Sequence, residues 1–257
     1  MLTACGHRLD PALIILDKDG TLIAFDHLWH RWFALLLEHL GDDLDARGPH
    51  GVQMAATLGY DVETGAWDPR GPLTIASTSE LTVLLAGLLY ANQGMSWEDA
   101  ISRVRTAERK ARAALPLEDL VKPVGDVAAR LSDWRAKGMR LAIATTDERD
   151  LTMRSLACVG LEALFDAIVC GDDGIPLKPA PDMVLQICER LSIPPRETVV
   201  IGDTAADLVM AREAGAMAAI GVLSGAGTRE DLARYTDLIV PDIHHVRVVA
   251  SPKDRHR

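Results

Sequence analysis

The sequence predicts an α/β fold in which a doubly wound parallel sheet, covered by helices, is interrupted by an inserted all-helical domain. Two patterns in the 257 residues predict this fold. Short continuous apolar runs alternate with segments whose apolar residues recur every three or four positions, as expected for parallel strands joined by helices. One long stretch near the N-terminus breaks this alternation, because it shows only the helical period.

Six apolar runs are the predicted strands. Each run is continuous, which is typical of strands that are buried on both faces of a sheet. They lie at residues 11–17, 141–145, 167–170, 198–201, 218–222 and, more weakly, 237–240. Helical spacing appears between them, for example from Val127 to Trp134 and from Met183 to Leu191.

The stretch without strand signals contains three apolar stripes at helical spacing, which begin at Leu28, Leu81 and Ile101. A variant capping box at residues 96–99 predicts the start of the last of these helices. Residues 59–72 are rich in Gly, Asp and Pro, and we expect an irregular loop there.

These patterns predict the domain boundaries. Residues 1–23 and 123–250 are predicted to form the α/β core, and residues 24–122 the helical insertion. The polar C-terminal residues 251–257 are predicted to be a disordered tail.

Composition excludes several classes of protein. Apolar residues make up 48% and charged residues 25% of the chain, as in ordinary globular proteins. No apolar run approaches the roughly 20 residues that a membrane-spanning helix needs. The net charge of −10, without a basic block, argues against nucleic-acid binding. Four cysteines without a C-x-x-C pair, and an N-terminus without a secretion signal, predict a cytoplasmic protein with reduced thiols and no membrane partner. No particular oligomeric state is predicted.

Acidic residues follow two of the predicted strands. Asp17 and Asp19 come directly after the first strand, with Gly20 permitting a sharp turn, and Asp203 and Asp207 follow a later one. Open α/β sheets bind their ligands at the carboxyl ends of the strands. Several carboxylates that converge there need a cation to neutralise them. Mg²⁺ prefers oxygen ligands and commonly bridges carboxylates to a phosphate, so it is the predicted cofactor.

Two other strand ends carry groups that suit an anionic oxygen. Thr145 and Thr146 end one predicted strand with hydroxyls and free backbone N–H groups. Lys178 stands directly before Pro179, and the prolines stiffen its backbone. A threonine pair or a lysine is weak evidence by itself, but this order of groups predicts an anion site beside the carboxylates.

In order and spacing, these four motifs resemble those of haloacid dehalogenase superfamily phosphatases, of the phosphoglycolate phosphatase branch. The motifs are the segment from Asp17 to Thr21, then Thr145, Lys178, and the segment from Gly202 to Asp207. The resemblance implies a Rossmann-like core, and it implies that the helical insertion is a type-1 cap that selects the substrate. Thr146 is a departure, since the family often has Asn after the Ser or Thr of the second motif.

The resemblance also implies a reaction. Asp17 would attack phosphorus and form an aspartyl-phosphate, and Asp19 would protonate the leaving alcohol and then deprotonate the attacking water. Mg²⁺ would be held by Asp17, the backbone carbonyl of Asp19, and Asp203. The substrate would be a small phosphomonoester.

Supporting roles follow from the same resemblance. Thr145, Thr146 and Lys178 would hold the phosphate oxygens. Asp207 would orient either Lys178 or metal-bound water, and Gly20 would support the turn of the first motif.

Two other functions stay open. A sugar phosphomutase of the β-phosphoglucomutase type shares the core and differs in whether water or a second hydroxyl accepts the phosphoryl group. A non-catalytic binding module of the same fold is less favoured, because the acidic residues and the lysine are intact. A phosphonate hydrolase is disfavoured, since it needs a Schiff-base lysine and the insertion offers only Lys110 between Leu22 and Leu115.

The polar candidates for substrate selection in the insertion are His27, His30, Arg31, Arg70 and Glu80.

Overall fold

The computed structural model describes residues 1–40, 48–68 and 70–249. The chain divides into two compact units. The first contains Met1–Phe25 and the described residues from Val121 onward, and the second contains the described residues of Asp26–Leu120. The predicted disordered tail at 251–257 lies outside the described residues.

The first unit contains the strands and helices of the α/β fold. Its strands are β1 (Leu2–Ala4), β2 (His7–Leu9), β3 (Leu13–Leu16), β4 (Arg140–Ala144), β5 (Ala167–Val169), β6 (Thr198–Gly202), β7 (Ala218–Val222), β8 (Ile239–Val240) and β9 (Arg247–Val248). The helices of the chain, in order, are α1 (Phe25–Leu40), α2 (Pro49–Leu58), α3 (Pro72–Ile75), α4 (Thr78–Gln93), α5 (Trp97–Ala113), α6 (Leu117–Leu120), α7 (Val127–Ala136), α8 (Arg149–Cys158), α9 (Asp182–Leu191), α10 (Ala205–Glu213) and α11 (Arg229–Leu232).

Six strands form one parallel sheet in the order β5-β4-β3-β6-β7-β8. The chain runs from β3 outward to β5, then returns to β6 and continues to β8 in the opposite direction. The switch point of this doubly wound sheet therefore lies between β3 and β6, where ligands bind in such folds. Leu16 is paired with Ile143 on β4 and Ile201 on β6, so the residues after all three strands leave the sheet at one edge.

The sheet is buried by its helices, as the continuous apolar runs predicted. All four residues of β3 are fully buried. Met183, Val184 and Ile187 of α9 pack into the cluster that contains inward-facing residues of β3 and β4. Val127, Leu131 and Trp134 are the buried face of α7. The predicted α/β fold class is confirmed.

A second, three-stranded antiparallel sheet was not predicted. Its order is β2-β1-β9, and Leu2 is paired with both Leu9 and Val248. Strands of two or three residues are too short to show a period, and this sheet joins the two ends of the described chain. The pairing therefore leaves no local pattern in the sequence.

The second unit is helical and contains the three predicted stripes in α1, α4 and α5. Ser96 caps α5 by accepting a hydrogen bond from Asp99 N, and Thr82 of α4 donates its hydroxyl to the buried Glu108 carboxylate of α5. The described residues between α2 and α3 form an irregular loop, as predicted, and Tyr60 and Trp67 pair across it. No helix in the described part of the chain is long and apolar enough to cross a membrane. The four cysteines are unpaired, as predicted.

Asp166 connects the starts of β4 and β5, and its replacement tests the electrostatics of the core. Its Oδ2 accepts hydrogen bonds from Leu141 N and from Arg135 Nη1, both at 2.9 Å, and its Oδ1 lies 3.0 Å from Arg140 Nε. Burial acts to raise the pKa of Asp166, but these donors lower it overall. Asp166→Asn should lower the free energy of unfolding by about 1–3 kcal/mol at pH 7.

The sign of the pH dependence follows from that lowered pKa. The stabilisation is fully present above the pKa of the unfolded chain, near 4, and is lost as the pH falls through the lower folded value. In urea unfolding, the difference between wild type and Asp166→Asn should shrink below about pH 4. Asp133→Asn, which removes a partly exposed pair with Lys137, should change stability by less than about 0.5 kcal/mol. A difference that is independent of pH would contradict the ionic origin.

Candidate active site

The parallel strands bring Asp17, Lys178 and Asp207 together at the switch point. Lys178 Nζ lies 2.5 Å from Asp17 Oδ1 and 2.5 Å from Asp207 Oδ1. The lysine side chain is 5% exposed, so two carboxylates pair with one buried ammonium group. Burial acts to lower the pKa of Lys178, but the charges of Asp17 and Asp207 raise it overall. Lys178 is therefore a fixed positive charge next to Asp17.

Asp207 is held from its other side by the start of α10. Its Oδ2 accepts hydrogen bonds from Thr204 N at 3.1 Å and from Thr204 Oγ1 at 2.7 Å, which is a capping box. Of the two roles considered for Asp207, the observed contact is the one with Lys178. The helix cap thus fixes the carboxylate that holds the lysine.

Backbone atoms lie close to the Asp203 side chain. Its Oδ2 accepts a hydrogen bond from Ala226 N at 2.8 Å, while its Oδ1 is buried and has no hydrogen-bond partner among the described residues. A Cβ atom on Gly20 would lie 2.4 Å from Asp203 Oδ2, and one on Gly225 would lie 2.0 Å from it. Glycine is required at both positions for this close approach. One Asp203 oxygen is thus available to bind a cation or to accept a hydrogen bond.

The donor set fits a divalent cation. Carboxylate oxygens of Asp17, Asp203 and Asp207 lie within 4.8 Å of one another. Burial raises the pKa of Asp17 to about 7, and burial together with the charge of Asp17 raises the pKa of Asp203 well above its usual range. Lys178 neutralises one of three negative charges, and a cation of charge two would neutralise the others. Oxygen-only donors suit Mg²⁺.

The Asp19 side chain lies outside that group and pairs with a second buried lysine. Lys18 is fully buried, and its Nζ lies 2.6 Å from Asp19 Oδ2 and 3.1 Å from Asp147 Oδ2. Burial raises the pKa of Asp19, against the lowering effect of the Lys18 charge. No role was predicted for Lys18 or Asp147 from the sequence. The available signals were a lysine between the two motif aspartates and an aspartate two residues after Thr145.

Thr145 and Thr146 lie at the end of β4, and one expectation about them is wrong. The Thr145 backbone N–H donates to Val169 O at 3.0 Å, so it belongs to the sheet and is not free. The Thr145 hydroxyl accepts a hydrogen bond from Asp147 N at 3.2 Å. This hydrogen bond continues the parallel ladder between β4 and β5, in which Ala144 is paired with Val169. Thr145 can thus offer an anion only its hydroxyl hydrogen.

Comparison with known proteins decides the family. A family model described as a haloacid dehalogenase-like hydrolase matches residues 11–215, which contain the aspartates, threonines and lysines of the site. The chain belongs to the haloacid dehalogenase-like hydrolases. This confirms the resemblance inferred from the four motifs, and it makes the protein a hydrolase by family.

Relatives of this hydrolase carry phosphatase names. It is 28% identical over 203 residues, 79% of its own length and 77% of the relative, to a protein of Caldanaerobacter subterraneus subsp. tengcongensis provisionally named pyrophosphatase PpaX. It is 30% identical over 126 residues to the plasmid-encoded phosphoglycolate phosphatase of Cupriavidus necator, which is 49% of the chain and 54% of that relative.

Solved structures share the fold of this hydrolase. A Haemophilus somnus 129PT protein, described as a predicted phosphoglycolate phosphatase, superposes with a TM-score of 0.70 at 19% identity, covering 92% of this chain and 96% of that one. At this identity the likeness concerns the fold, and it includes both the α/β core and the helical insertion.

The structure gives two of the substrate-selection candidates in the hydrolase's second unit other contacts. Glu80 forms a capping box with Ser77 at the start of α4. The His30 ring lies against Trp67, with ring centroids 4.8 Å apart, and its Nε2 is 3.3 Å from Gly65 O. Exposed side chains remain at the other three positions, which are His27, Arg31 and Arg70.

The close approach at Gly20 gives a direct test of whether Asp203 of this hydrolase binds a divalent cation. Gly20 and Gly174 share a φ of +77°, but a Cβ on Gly174 would meet nothing within 4 Å. Gly20→Ala must displace the Asp203 carboxylate, whereas Gly174→Ala adds only backbone strain of about 1–2 kcal/mol. Calorimetric titration with Mg²⁺ should show an affinity at least about tenfold weaker for Gly20→Ala, or about 1.4 kcal/mol. Equal affinities in the two variants would contradict a role for Asp203 in holding the metal.

Proposed function

We propose that this protein is a Mg²⁺-dependent phosphatase that hydrolyses a small phosphomonoester through an aspartyl-phosphate on Asp17. The observation that carries the proposal is the group of Asp17, Lys178, Asp203 and Asp207 at the switch point of the sheet. Such a group supplies a nucleophile, a fixed positive charge and a set of metal ligands at one place. Membership of a hydrolase family with phosphatase-named relatives supports the same reaction.

Asp17 is the carboxylate suited to attack. Of the two carboxylates that Lys178 holds, Asp17 is 13% exposed and Asp207 is 1% exposed, so a substrate can reach Asp17 more easily. Lys178 fixes the direction of the Asp17 carboxylate and would hold an equatorial phosphate oxygen as charge moves away from the leaving group. Asp207 keeps Lys178 in place. The Thr145 hydroxyl and the Thr146 backbone N–H would hold further phosphate oxygens.

Asp19 would transfer the protons. It would protonate the leaving alcohol and then deprotonate the water that attacks the aspartyl-phosphate. The Asp19 carboxyl pairs with the buried Lys18, whereas Asp17 pairs with Lys178, so the nucleophile and the proton carrier have different partner lysines.

Asp17, the backbone carbonyl of Asp19, and Asp203 would hold Mg²⁺. When bound, the ion would supply positive charge between the attacking carboxylate and the phosphate dianion. The buried Asp203 Oδ1 and the glycines around Asp203 support this assignment. The proposal includes a cytoplasmic location and no nucleic-acid or membrane partner.

Hydrolysis of a panel of small phosphate compounds tests the proposal. The panel should contain phosphoglycolate and pyrophosphate, because relatives carry both names, as well as sugar phosphates and p-nitrophenyl phosphate. We expect release of inorganic phosphate with Mg²⁺, loss on chelation and recovery when Mg²⁺ is added back. No turnover of any compound under these conditions would contradict the proposal and favour a binding module.

A sugar phosphomutase is the second candidate. The same nucleophile and proton carrier can pass the phosphoryl group to a second hydroxyl instead of water. A mutase would interconvert two sugar phosphates in the same assay and release little inorganic phosphate. Ranking the compounds by kcat/KM then identifies the substrate class, because specificity is a difference in transition-state binding.

A further inference from the structure

The contacts of Lys18 indicate that it holds the Asp19 side chain in position. A lysine is costly to bury without partners, and Lys18 is fully buried with two carboxylates at its ammonium group. The position of the Lys18 ammonium group is therefore set by two aspartates, Asp19 and Asp147.

Only one oxygen of Asp19 is engaged. Lys18 Nζ donates to Asp19 Oδ2 at 2.6 Å, whereas Asp19 Oδ1 is buried and has no hydrogen-bond partner in the described part of the chain. The ion pair thus fixes the rotation of the carboxyl group and leaves Oδ1 as the oxygen that can exchange a proton.

Asp147 fixes Lys18 from the neighbouring strands. Its backbone O accepts a hydrogen bond from Gly171 N at 2.7 Å, after β5, and its backbone N donates to Thr145 Oγ1 at 3.2 Å, after β4. The carboxylate of Asp147 is therefore held at the edge of the sheet, and Lys18 connects it to Asp19. The network joins the first and second motifs without involving Lys178.

We propose that Lys18 and Asp147 are positioning residues that orient Asp19 for proton transfer to the leaving group and from the attacking water. The proposal rests on the proposed phosphatase function. Lys18 and Asp147 act on the substrate only indirectly, through the direction and distance of Asp19 Oδ1.

The test compares substrates that need a proton on the leaving group with substrates that do not. Lys18→Met keeps the length of the side chain and removes its charge. An alkyl phosphate such as phosphoglycolate or a sugar phosphate releases a strongly basic alkoxide, whereas p-nitrophenyl phosphate releases a stable phenolate. In Lys18→Met, kcat/KM for the best alkyl phosphate in the panel should fall at least about tenfold more than kcat/KM for p-nitrophenyl phosphate. A merely structural role would lower both values by the same factor.

Controls and a second variant keep the test decisive. Lys137→Met removes a partly exposed lysine that is also 2.6 Å from an aspartate, and it should change neither kcat/KM value. If Lys18→Met does not fold, Asp147→Asn keeps Lys18 and its bond to Asp19, and it should show the same preference for p-nitrophenyl phosphate in weaker form. An equal loss for both substrates in a folded variant would overturn the positioning role while leaving the phosphatase intact. A wild-type protein that hydrolyses neither substrate would instead contradict the proposed function.

Discussion

Asp17→Asn should abolish hydrolysis of every phosphate compound that the wild-type protein accepts. An amide cannot form an aspartyl-phosphate, and removal of a nucleophile typically lowers the rate by about 10⁴-fold or more. The Asn side chain has nearly the same shape, and its amide oxygen can still accept the hydrogen bond that Lys178 donates to Asp17 Oδ1. The loss should therefore concern the chemistry and leave the arrangement of the site in place.

A stability measurement on Asp17→Asn distinguishes the loss of the chemical step from the loss of the folded structure. Burial raises the pKa of Asp17 to about 7 in the metal-free chain, so the ionised side chain opposes folding above the pKa of the unfolded state, near 4. Asp17→Asn removes that unfavourable charge. In thermal unfolding at pH 8 with a chelator, the variant should be at least as stable as the wild type.

Mass spectrometry gives the decisive measurement for Asp17. Intact wild-type protein that is quenched during turnover should carry one phosphoryl group on the peptide that contains Asp17, and Asp17→Asn protein should never carry it. Slow deamidation of the introduced asparagine back to aspartate must be excluded by sequencing that peptide. Rapid steady-state turnover by the variant, or a phosphoryl group on another residue, would overturn the proposed mechanism.

Asp19→Asn should separate the two halves of the reaction. Asp17 is intact in this variant, but the carboxyl group that we propose exchanges protons is gone. Alkyl phosphates should react about 10²–10⁴ times more slowly, since their leaving alkoxide needs a proton. p-Nitrophenyl phosphate should give one rapid burst of nitrophenol and then stall, because water attack on the aspartyl-phosphate lacks its base.

The stalled state of Asp19→Asn can be observed directly. Intact-protein mass spectrometry during the stall should show one phosphoryl group per chain, and the burst should match the concentration of active protein. Continuous turnover at the wild-type rate would show that Asp19 transfers no proton in the reaction. Lys18→Met should resemble Asp19→Asn in its preference for p-nitrophenyl phosphate and retain more activity, because it misplaces the proton carrier without removing it.

Much of the fold could be predicted, because a strand buried on both faces needs a continuous apolar run and a packed helix needs an apolar stripe. The runs that contain β3, β4 and β6 and the stripe of α7 are of this kind. The antiparallel sheet of β1, β2 and β9 could not be predicted in this way. It forms by pairing between the two ends of the described chain, and strands of two or three residues show no period.

The candidate site, like the fold, could be predicted from the sequence only in part. Asp17, Asp203 and Lys178 could be selected from the sequence, because the first two follow strands and parallel strands end at one edge of a sheet. The sequence left open whether Asp207 contacts Lys178 or metal-bound water, and the structure shows the contact with Lys178. The hydrogen bond from Thr145 N to Val169 O of β5 contradicts the free backbone N–H group that was expected at Thr145. Both depend on neighbours that are remote along the chain.

By itself, the sequence determined the α/β fold class and the helical insertion through local periodicity, and its four motifs resembled those of the haloacid dehalogenase family, which the family model confirms. Only the tertiary structure decided which carboxylates pair with which buried lysine. It assigned Lys178 to Asp17 and Asp207, and Lys18 to Asp19 and Asp147. The physical reason is that a buried charge is tolerated only beside an opposite charge, and the partner of a given charge is determined by where separate strands end in space.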